Sequence, residues 1–503
     1  MATLIGLLSV VAGLGVGHLV AGWVSPATSP FLAVGNTAID LTPSWLKDFA
    51  VRTFGSSDKV VLLLGMAVVI ALIGTAAGLV SRRSRTPGLI LILVLGVIAT
   101  AAVITRPNAV ALDVLAALAA LLVSSAVFTA LHGWGLASRA TAPAPVAVGV
   151  SRRKLLVGSA AVAAGAGIAG AGGQLLAGRG GVEASRASVG RIVPTVAAPP
   201  IPAGADFAAD GSPTFITPNR DFYRVDVNLT LPQLRAEDWR LRVHGMVDRE
   251  LNLAWADLTS RRLVERAVTM TCVSNEVGGP YLSTSNFTGV LLADILQEAG
   301  VQRGADQVFT TSVDGWTCGS PTEILADPAR QAMLVIAMNS QPLPIEHGFP
   351  VRMIVPGLYG FVSGTKWITD MELTTFDAKQ AYWLQRDWAQ RAPIKTMSRI
   401  DSPGSFERIS PDTPITGIAW AQTKGIEKVE VRIDRGQWRS AELSTEVNVD
   451  TWRMFRLRDR WAPGSHVAEV RATDKTGYTQ TVDRVAPIPD GASGWHSVQF
   501  TVQ

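Results

Sequence analysis

Apolar residues in this chain fall into two regimes that meet near residue 177. Before it they run almost unbroken, in stretches at 3–24, 60–80, 88–105, 109–131 and 155–177. A run of about 18 or more such residues is long enough to cross a bilayer as a helix, so five spans are predicted. After 177 the runs shorten and alternate with polar positions. Residues 178–212 are rich in Gly, Ala, Pro and Ser and read as a linker. From 213 to 392, strand-like segments at 238–244, 265–272, 307–312, 333–338 and 350–355 mix with a helix at 290–299, where Leu291, Leu292, Ile295 and Leu296 share a face. That mixture predicts an α+β domain. From 393 to 503 the pattern is strands only, at 414–420, 427–433, 451–457 and 466–473. Turns such as Asp434-Arg435-Gly436 and Asp474-Lys475-Thr476-Gly477 separate them. This spacing predicts an all-β, immunoglobulin-like sandwich. The chain therefore reads as multidomain: an α-helical membrane bundle over 1–177, a linker, an α+β domain and a β-sandwich.

Charge orients the spans. Arg82, Arg83 and Arg85 follow the second run, and Arg139, Arg152, Arg153 and Lys154 follow the fourth. Lys/Arg-rich short loops stay cytoplasmic. Alternation then starts the N-terminus inside and places everything after 177 outside, which makes this a multi-pass cell-membrane protein with an extracytoplasmic C-terminal region. Ser151-Arg152-Arg153-Lys154-Leu155-Leu156 precedes a weakly hydrophobic Ala/Gly run and looks like a twin-arginine export signal embedded over 151–177. The plainer reading is an orienting pair of arginines. Twin-arginine export carries folded proteins, a route needed when a cofactor is inserted in the cytoplasm. No clear Ala-x-Ala cleavage site falls within 170–180, so the fifth span is expected to remain as an anchor. His18, Asp113 and His132 are the polar residues to weigh inside the spans. Histidine is a haem-ligand type, but helix packing or an interfacial position explains two isolated histidines better, and no haem is expected.

Composition narrows the classes further. A length of 503 residues favours about three domains. A net charge of +4, without a long basic run outside the membrane loops, gives no nucleic-acid surface. Two cysteines, Cys272 and Cys318, exclude a disulfide scaffold and any four-cysteine zinc or iron–sulfur site within the chain.

The chemistry centres on Cys272. Thr269-Met270-Thr271-Cys272-Val273-Ser274-Asn275 ends a strand with a thiol, and a thiolate there is a soft metal ligand. Alone, such a cysteine is more often packing. Four blocks change the odds: Thr217-Pro218-Asn219-Arg220-Asp221-Phe222-Tyr223-Arg224; the Cys272 segment with Phe287-Thr288-Gly289-Val290; Met338 through Arg352; and Val355-Pro356-Gly357-Leu358-Tyr359-Gly360-Phe361 leading to Lys366-Trp367. Together they resemble the sulfite-oxidase family of molybdenum enzymes over most of 213–503. The β region ending Gly494-Trp495-His496 resembles that family's C-terminal dimerisation domain.

The resemblance implies a molybdenum held by a pyranopterin dithiolene (molybdopterin), with Cys272 as the protein ligand. It also implies that His347, Arg352, Ser363 and Lys366 hold the pterin and its phosphate, that Tyr223 and Arg224 line the catalytic pocket, and that Asn219 and, more weakly, Asp314 assist. Arginine and lysine suit a phosphate, and the Gly-rich stretch 357–364 lets backbone amides approach it. Partners implied are a small-molecule substrate, an electron-transfer protein such as a cytochrome, and a second copy of the chain. Two departures bear on substrate. The family's arginine shortly after the ligand cysteine is missing from Val273-Ser274-Asn275-Glu276-Val277-Gly278, and its later tyrosine slot holds Gln380, with Tyr382 shifted. A methionine-sulfoxide-type reductase of the same family is the alternative activity. A cofactor-free binding or sensory module on this fold and a Cys272–Cys318 disulfide are competing readings.

Overall fold

The structure, a computed structural model, describes residues 1–43, 46, 49–50, 53–54, 57–106, 109–135, 148–177 and 181–503. The chain divides into two compact units. One is Met1–Gly181 with Asp226–Pro232; the other is Val182–Val225 with Gln233–Gln503.

The first unit is helical: α1 (Ala2–Val24), α2 (Pro30–Leu41), α3 (Asp58–Val80), α4 (Thr86–Ile104), α5 (Val114–Gly135) and α6 (Val148–Ala177). Among the described residues, five of these helices, all but α2, are long and apolar enough to cross a membrane by length and composition. Helix α1 is their common neighbour because it is studded with glycine. Gly6 lies on Gly74 and Gly78 of α3, Gly13 and Gly17 on Ala116, Ala120 and Ser124 of α5, and Gly22 on Gly173 of α6, each so closely that a methyl group would collide. Small residues at such crossings let helix backbones approach. The polar residues within the spans serve packing and capping. His18 Nδ1 meets Ser29 Oγ at 3.2 Å, His132 Nε2 donates to the Ser81 carbonyl at 2.7 Å, and the Asp113 carboxylate accepts the Val110 N–H at 2.9 Å. Arg139 and the side chain of Arg152 lie outside the described residues.

Residues 226–232 belong to this helical unit. Lys59 Nζ donates to the carbonyls of Asp226 (2.7 Å) and Asn228 (2.9 Å). The buried Asn36 accepts the Leu229 N–H at 3.1 Å. Arg106 donates to Asn228 Oδ1 at 3.3 Å and pairs with Asp40 at 2.9 Å.

The second unit opens with α7 (Val182–Val189). The sequence reading makes 178–212 a linker, and the structure corrects it. Residues 178–180 lie outside the described residues, but α7 buries Val182 and Ser185, Val196 pairs with Val264, and Ala205 and Phe207 are buried. Small and proline-rich sequence looks like tether yet here lies flat on a core.

The strands in chain order are β1 (Arg240–Gly245), β2 (Leu251–Ala254), β3 (Val264–Thr271), β4 (Leu282–Leu291), β5 (Gln307–Ser312), β6 (Thr317–Pro321), β7 (Met333–Met338), β8 (Gln341–Pro342), β9 (Arg352–Ile354) and β10 (Ile368–Thr374). They form one sheet ordered β2-β1-β10-β5-β6 and another ordered β3-β4-β7-β8, with β9 also on β7. Helix α8 (Leu292–Ala299) follows β4 directly. Every residue of β7 is buried because both its faces are covered. Leu334 and Ile336 join the core with Trp239, Leu241, Leu292 and Ile368, while Met333 and Val335 pack with Phe287 and Phe349. The continuous apolar run Met333-Leu334-Val335-Ile336 is the sequence mark of such a strand.

The remaining strands are β11 (Met397–Ser402), β12 (Arg408–Ile409), β13 (Ile415–Trp420), β14 (Ile426–Ile433), β15 (Arg439–Ser440), β16 (Glu442–Leu443), β17 (Arg453–Leu457), β18 (Gly464–Asp474) and β19 (His496–Val502). Sheets β11-β13-β17-β16 and β12-β19-β18-β14-β15 enclose Ile415, Phe455, Val429, Val431, Val470 and Phe500. The other face of the first sheet sends Ile418, Trp420 and Met454 into the α+β core, so 213–392 and 393–503 share one interior rather than meeting at a linker. The C-terminal region also closes the open edge of β3. The Asp450 carbonyl accepts the Thr269 N–H (2.9 Å), and Asn448 and Gln422 side chains donate to the carbonyls of Ala267 and Thr269, both at 3.0 Å.

Candidate active site

Cys272 directly follows β3, where its N–H donates to the Tyr281 carbonyl at 2.9 Å and its own carbonyl accepts the Asn275 N–H at 3.1 Å. This turn lifts the thiol off the end of the sheet, half-buried and free of any disulfide. Burial pushes the Cys272 thiol up, against the lowering effect of the Ser274 N–H and hydroxyl. Cys318 is also free; it is fully buried on β6 and pushed up to about 11, mainly by that burial. The disulfide reading therefore has no bond in the structure.

Tyr223 joins the thiol to a cationic corner. Its N–H donates to Ser283 Oγ of β4 at 3.2 Å, and its ring stacks on Phe222 at 5.4 Å. Burial first, and then the nearby Cys272 charge, push its phenol well above the ordinary tyrosine range, while Arg352 pulls the other way. Phe222 is buried, and its ring meets the His347 ring edge-on at 5.4 Å. His347 Nε2 lies 3.2 Å from the Asn219 carbonyl, and since a carbonyl only accepts, that nitrogen carries the proton. Asn219 is itself held by Asn339, which donates to its Oδ1 at 2.8 Å.

The corner is built around Gly348. Arg352 begins β9 and pairs across a β-bridge with Lys366, and Gly348, at φ +107°, nests against both. A Cβ there would sit 3.0 Å from Arg352 Cβ and 3.1 Å from Lys366 Cβ. The buried Arg352 guanidinium donates to the His347 carbonyl at 3.2 Å, and Lys366 Nζ to the Glu346 carbonyl at 3.0 Å. Two cations thus converge within a few residues of a buried imidazole.

Three sequence candidates sit differently from the expectation. The Ser363 hydroxyl is buried and donates to the carbonyls of Leu358 (3.2 Å) and Tyr359 (2.9 Å), so its proton closes the 358–363 loop rather than being available for a phosphate. Asp314 accepts the Trp316 N–H at 3.2 Å within the β5–β6 turn, and the Val313 N–H of that turn donates to the Trp367 carbonyl at 2.9 Å. Arg224 is exposed. Conversely, Tyr359 lies in a matched block yet was given no role by sequence reasoning. It is buried, and burial, with smaller effects from Asp490 and Cys272, raises its phenol above the ordinary range. Its hydroxyl accepts the Lys395 N–H at 3.5 Å and lies against Gly491.

The loop after Cys272 leans on the β-sandwich. Arg399 Nη1 donates to the Gly279 carbonyl at 2.7 Å while its guanidinium pairs with Asp401 at 2.7 Å. Gly278 lies flat on the His496 ring, and His496 Nδ1 accepts the Ile400 N–H at 3.0 Å. A further group of metal-capable side chains, His244, Asp370 and Glu372, sits where β1 and β10 run parallel; the Lys379 ammonium bonded to Glu372 already supplies a cation there.

Residues 228–383 match the family model described as an oxidoreductase molybdopterin binding domain. The chain is 28% identical over 343 residues to human mitochondrial sulfite oxidase, covering 57% of this chain and 62% of that protein. It is 30% identical over 153 residues to the uncharacterized oxidoreductase YuiH of Bacillus subtilis, covering 30% of this chain and 73% of that one. Among solved structures, the sulfane dehydrogenase SoxCD of Paracoccus pantotrophus superposes with a TM-score of 0.51 at 21% identity, over 58% of this chain and 84% of that one, a likeness of fold. Fold and site together define a molybdopterin-binding oxidoreductase domain. The chain belongs to the sulfite-oxidase family of molybdenum-cofactor oxidoreductases. It spans 62% of the length of the human sulfite oxidase it matches.

The donor set suits that cofactor. A soft thiol whose surroundings resist an uncompensated thiolate accommodates a metal cation. A buried guanidinium and an ammonium, turned toward carbonyl oxygens, accommodate a phosphate.

Proposed function

We propose that this protein is a membrane-anchored oxidoreductase that works outside the cytoplasm, with Cys272 as the protein ligand to molybdenum. The observation that carries the reading is the corner at Gly348, where Arg352 and Lys366 meet beside the buried His347, whose ring touches the Phe222 ring on which Tyr223 stacks. The bound cofactor supplies the two-electron and oxygen-atom-transfer chemistry. The chain's own part is binding, orientation and proton placement. Cys272 contributes the thiolate; Arg352 and Lys366 hold the pterin phosphate; His347, fixed by the Asn219 carbonyl, flanks the pterin. Burial keeps the Tyr223 phenol protonated, so it would serve the site as an O–H donor.

The loop 273–278 favours an S-oxide as substrate over the sulfite anion. It holds no cation and one acid, Glu276, and the arginine that does reach it, Arg399, is spent on the Gly279 carbonyl and Asp401. A neutral sulfoxide loses less from that missing charge than sulfite does. Placement outside the membrane is supported by residues 226–232. They are held by Asn36, Lys59 and Arg106, near the helix ends opposite those bearing Arg82, Arg83 and Arg85. The facing sheets of 393–503 support an immunoglobulin-like module serving dimerisation, and electrons pass to or from a separate carrier such as a cytochrome. The test is molybdenum and pterin analysis of the intact protein, followed by turnover with sulfite and with S-oxides. A protein purified without molybdenum or pterin refutes the reading, and sulfite turnover exceeding S-oxide turnover refutes the substrate preference.

A further inference from the structure

The loop that follows Cys272 is closed on itself and then held from outside. Its ends meet where the Cys272 N–H donates to the Tyr281 carbonyl at 2.9 Å. The buried Asn275 spans its interior. The Asn275 N–H donates to the Cys272 carbonyl at 3.1 Å, and its Oδ1 accepts the Tyr281 N–H at 2.7 Å. The Gly279 N–H donates to the Glu276 carbonyl at 2.9 Å, and a Cβ on Gly279 would come within 2.8 Å of Asn275 Oδ1, so the turn is tight around that amide. A shift of residues 276–279 therefore passes through Asn275 to the backbone of Cys272.

Two side chains of the β-sandwich bear on this turn. Arg399, on β11, gives Nε and Nη2 to Asp401 Oδ1 at 2.8 and 2.7 Å, which aims the remaining Nη1 at the Gly279 carbonyl, 2.7 Å away. The Arg399 side chain is only 13% exposed. A buried cation is costly unless its donors are used, and a turn carbonyl facing water needs no such donor. His496, at the start of β19, covers Gly278 so closely that a Cβ there would sit 2.3 Å from the ring Cδ2 and Nε2. The ring is fixed in turn, because its Nδ1 accepts the Ile400 N–H at the outer edge of β11. Residues 399–401 of one strand thus supply the cation, the anchor for the imidazole and the counter-charge.

We infer that Arg399 and His496 are positioning residues for Cys272: from the β-sandwich they hold the 273–279 turn, and through it they fix where the thiol stands. The hold itself stands on the geometry; its bearing on catalysis rests on the proposed reading of Cys272 as the metal ligand. The C-terminal sheets then complete the active site, beyond any part they have in dimerisation. Two variants remove the hold from opposite sides. Arg399→Met with Asp401→Asn takes away the donor to Gly279 without leaving a buried carboxylate unpaired. Gly278→Ala drives a methyl group into the imidazole and lifts the turn while Arg399 stays.

The probe is iodoacetamide, which alkylates the thiolate form of a cysteine. It is applied to the full-length chain in detergent micelles, from cells grown without molybdate, and each cysteine is read separately by peptide mass spectrometry. Cys318, fully buried on β6, reports any opening of the core. Both variants are expected to label Cys272 about tenfold faster than the unaltered chain, with Cys318 still unlabelled. A merely structural role would move both cysteines together or neither. Cys272 labelled at the unaltered rate in either variant, or Cys318 labelled in step with it, overturns the inference. Chain from molybdate-supplied cells tests the reading beneath it, since there the metal should shield Cys272 of the unaltered protein. Equal labelling with and without molybdate removes Cys272 from the metal and leaves the hold on its loop standing.

Discussion

Replacing Gly348 by alanine should empty the cofactor site while leaving the fold in place. Gly348 has φ +107°, where an L side chain is strained, and its missing Cβ is the space into which the Arg352 and Lys366 side chains fit. Backbone strain of this kind costs about 1–3 kcal/mol. The added methyl at 3.0–3.2 Å from Arg352 Cβ, Lys366 Cβ and Lys366 Cγ adds an overpacking cost of about 1–3 kcal/mol unless those side chains move. Moving them relieves the crowding at the expense of the phosphate corner. If about 3 kcal/mol falls on the loaded state, retention of the cofactor weakens on the order of a hundredfold. Gly477→Ala separates the two contributions. Gly477 has φ +91° but no atom within 4 Å of its would-be Cβ, so it carries the backbone strain without the crowding. Both variants should melt a few degrees below the unaltered protein; only Gly348→Ala should lose molybdenum and pterin, measured per mole of purified chain. Full cofactor content in Gly348→Ala would show that Arg352 and Lys366 do not cradle the phosphate.

Other substitutions discriminate among roles. Cys272→Ser should keep the pterin and abolish redox turnover, whereas Arg352→Ala should lower cofactor content by removing a charge-assisted contact of about 1.5–3 kcal/mol; wild-type turnover in the serine variant would remove Cys272 from the site. Acidification should weaken the docking of the Cys272 loop on the β-sandwich. His496 is held down to about 4, by burial first and then by Arg399 and Arg484. Stability is therefore full above pH 6.5 and falls as the pH drops toward 4, by about 3 kcal/mol in all, because the unfolded chain takes up a proton that the folded one resists. His496→Asn, whose amide oxygen can still accept the Ile400 N–H, should flatten that slope in denaturation measured at each pH; an unchanged slope rules His496 out. A reporter fused at residue 86 should be active inside the cell and one at 200 outside. Arg152→Lys with Arg153→Lys should block translocation of the C-terminal region if the pair is an export signal, and normal translocation would leave it an orienting pair.

Much of the fold was legible because its elements follow simple periods. The apolar runs at 60–80 and 88–105 became α3 and α4 within two residues at either end, and 307–312 and 333–338 became β5 and β7 outright. Strand β4 was hidden. Its middle reads Ser283-Thr284-Ser285-Asn286, polar residues that the strand buries almost entirely, because their hydroxyls bind Tyr223, Thr269 and Asn339 rather than water. No hydropathy pattern announces a polar strand inside a core. Helix α2 was missed since twelve residues of mixed character give no spanning signal. Within the site, the matched blocks led to Cys272, Tyr223, His347, Arg352 and Lys366, which the fold brings into one neighbourhood. They also suggested Ser363 as a phosphate donor, and no sequence rule tells that a serine hydroxyl will turn back on its own loop. The role of Gly348 and the burial of Tyr359 depend on packing between segments that are close only after folding.

The glycines of α1 set an order on how the molecule is made. This helix is synthesised before its close partners α3, α5 and α6, the last of which ends at residue 177. Until α6 is in place, the notch at Gly22 that receives Gly173 has only lipid against it, and lipid tails cannot follow a backbone as another helix can. On the proposed topology, α6, which contains Arg152 and Arg153 near its start, is also the segment whose passage would carry the catalytic region outward. On that topology, completion of the helical unit and delivery of the enzyme would be a single event in assembly. A chain stalled at that step leaves α1 short of one of its partners, a form that membrane quality control can tell from the finished protein.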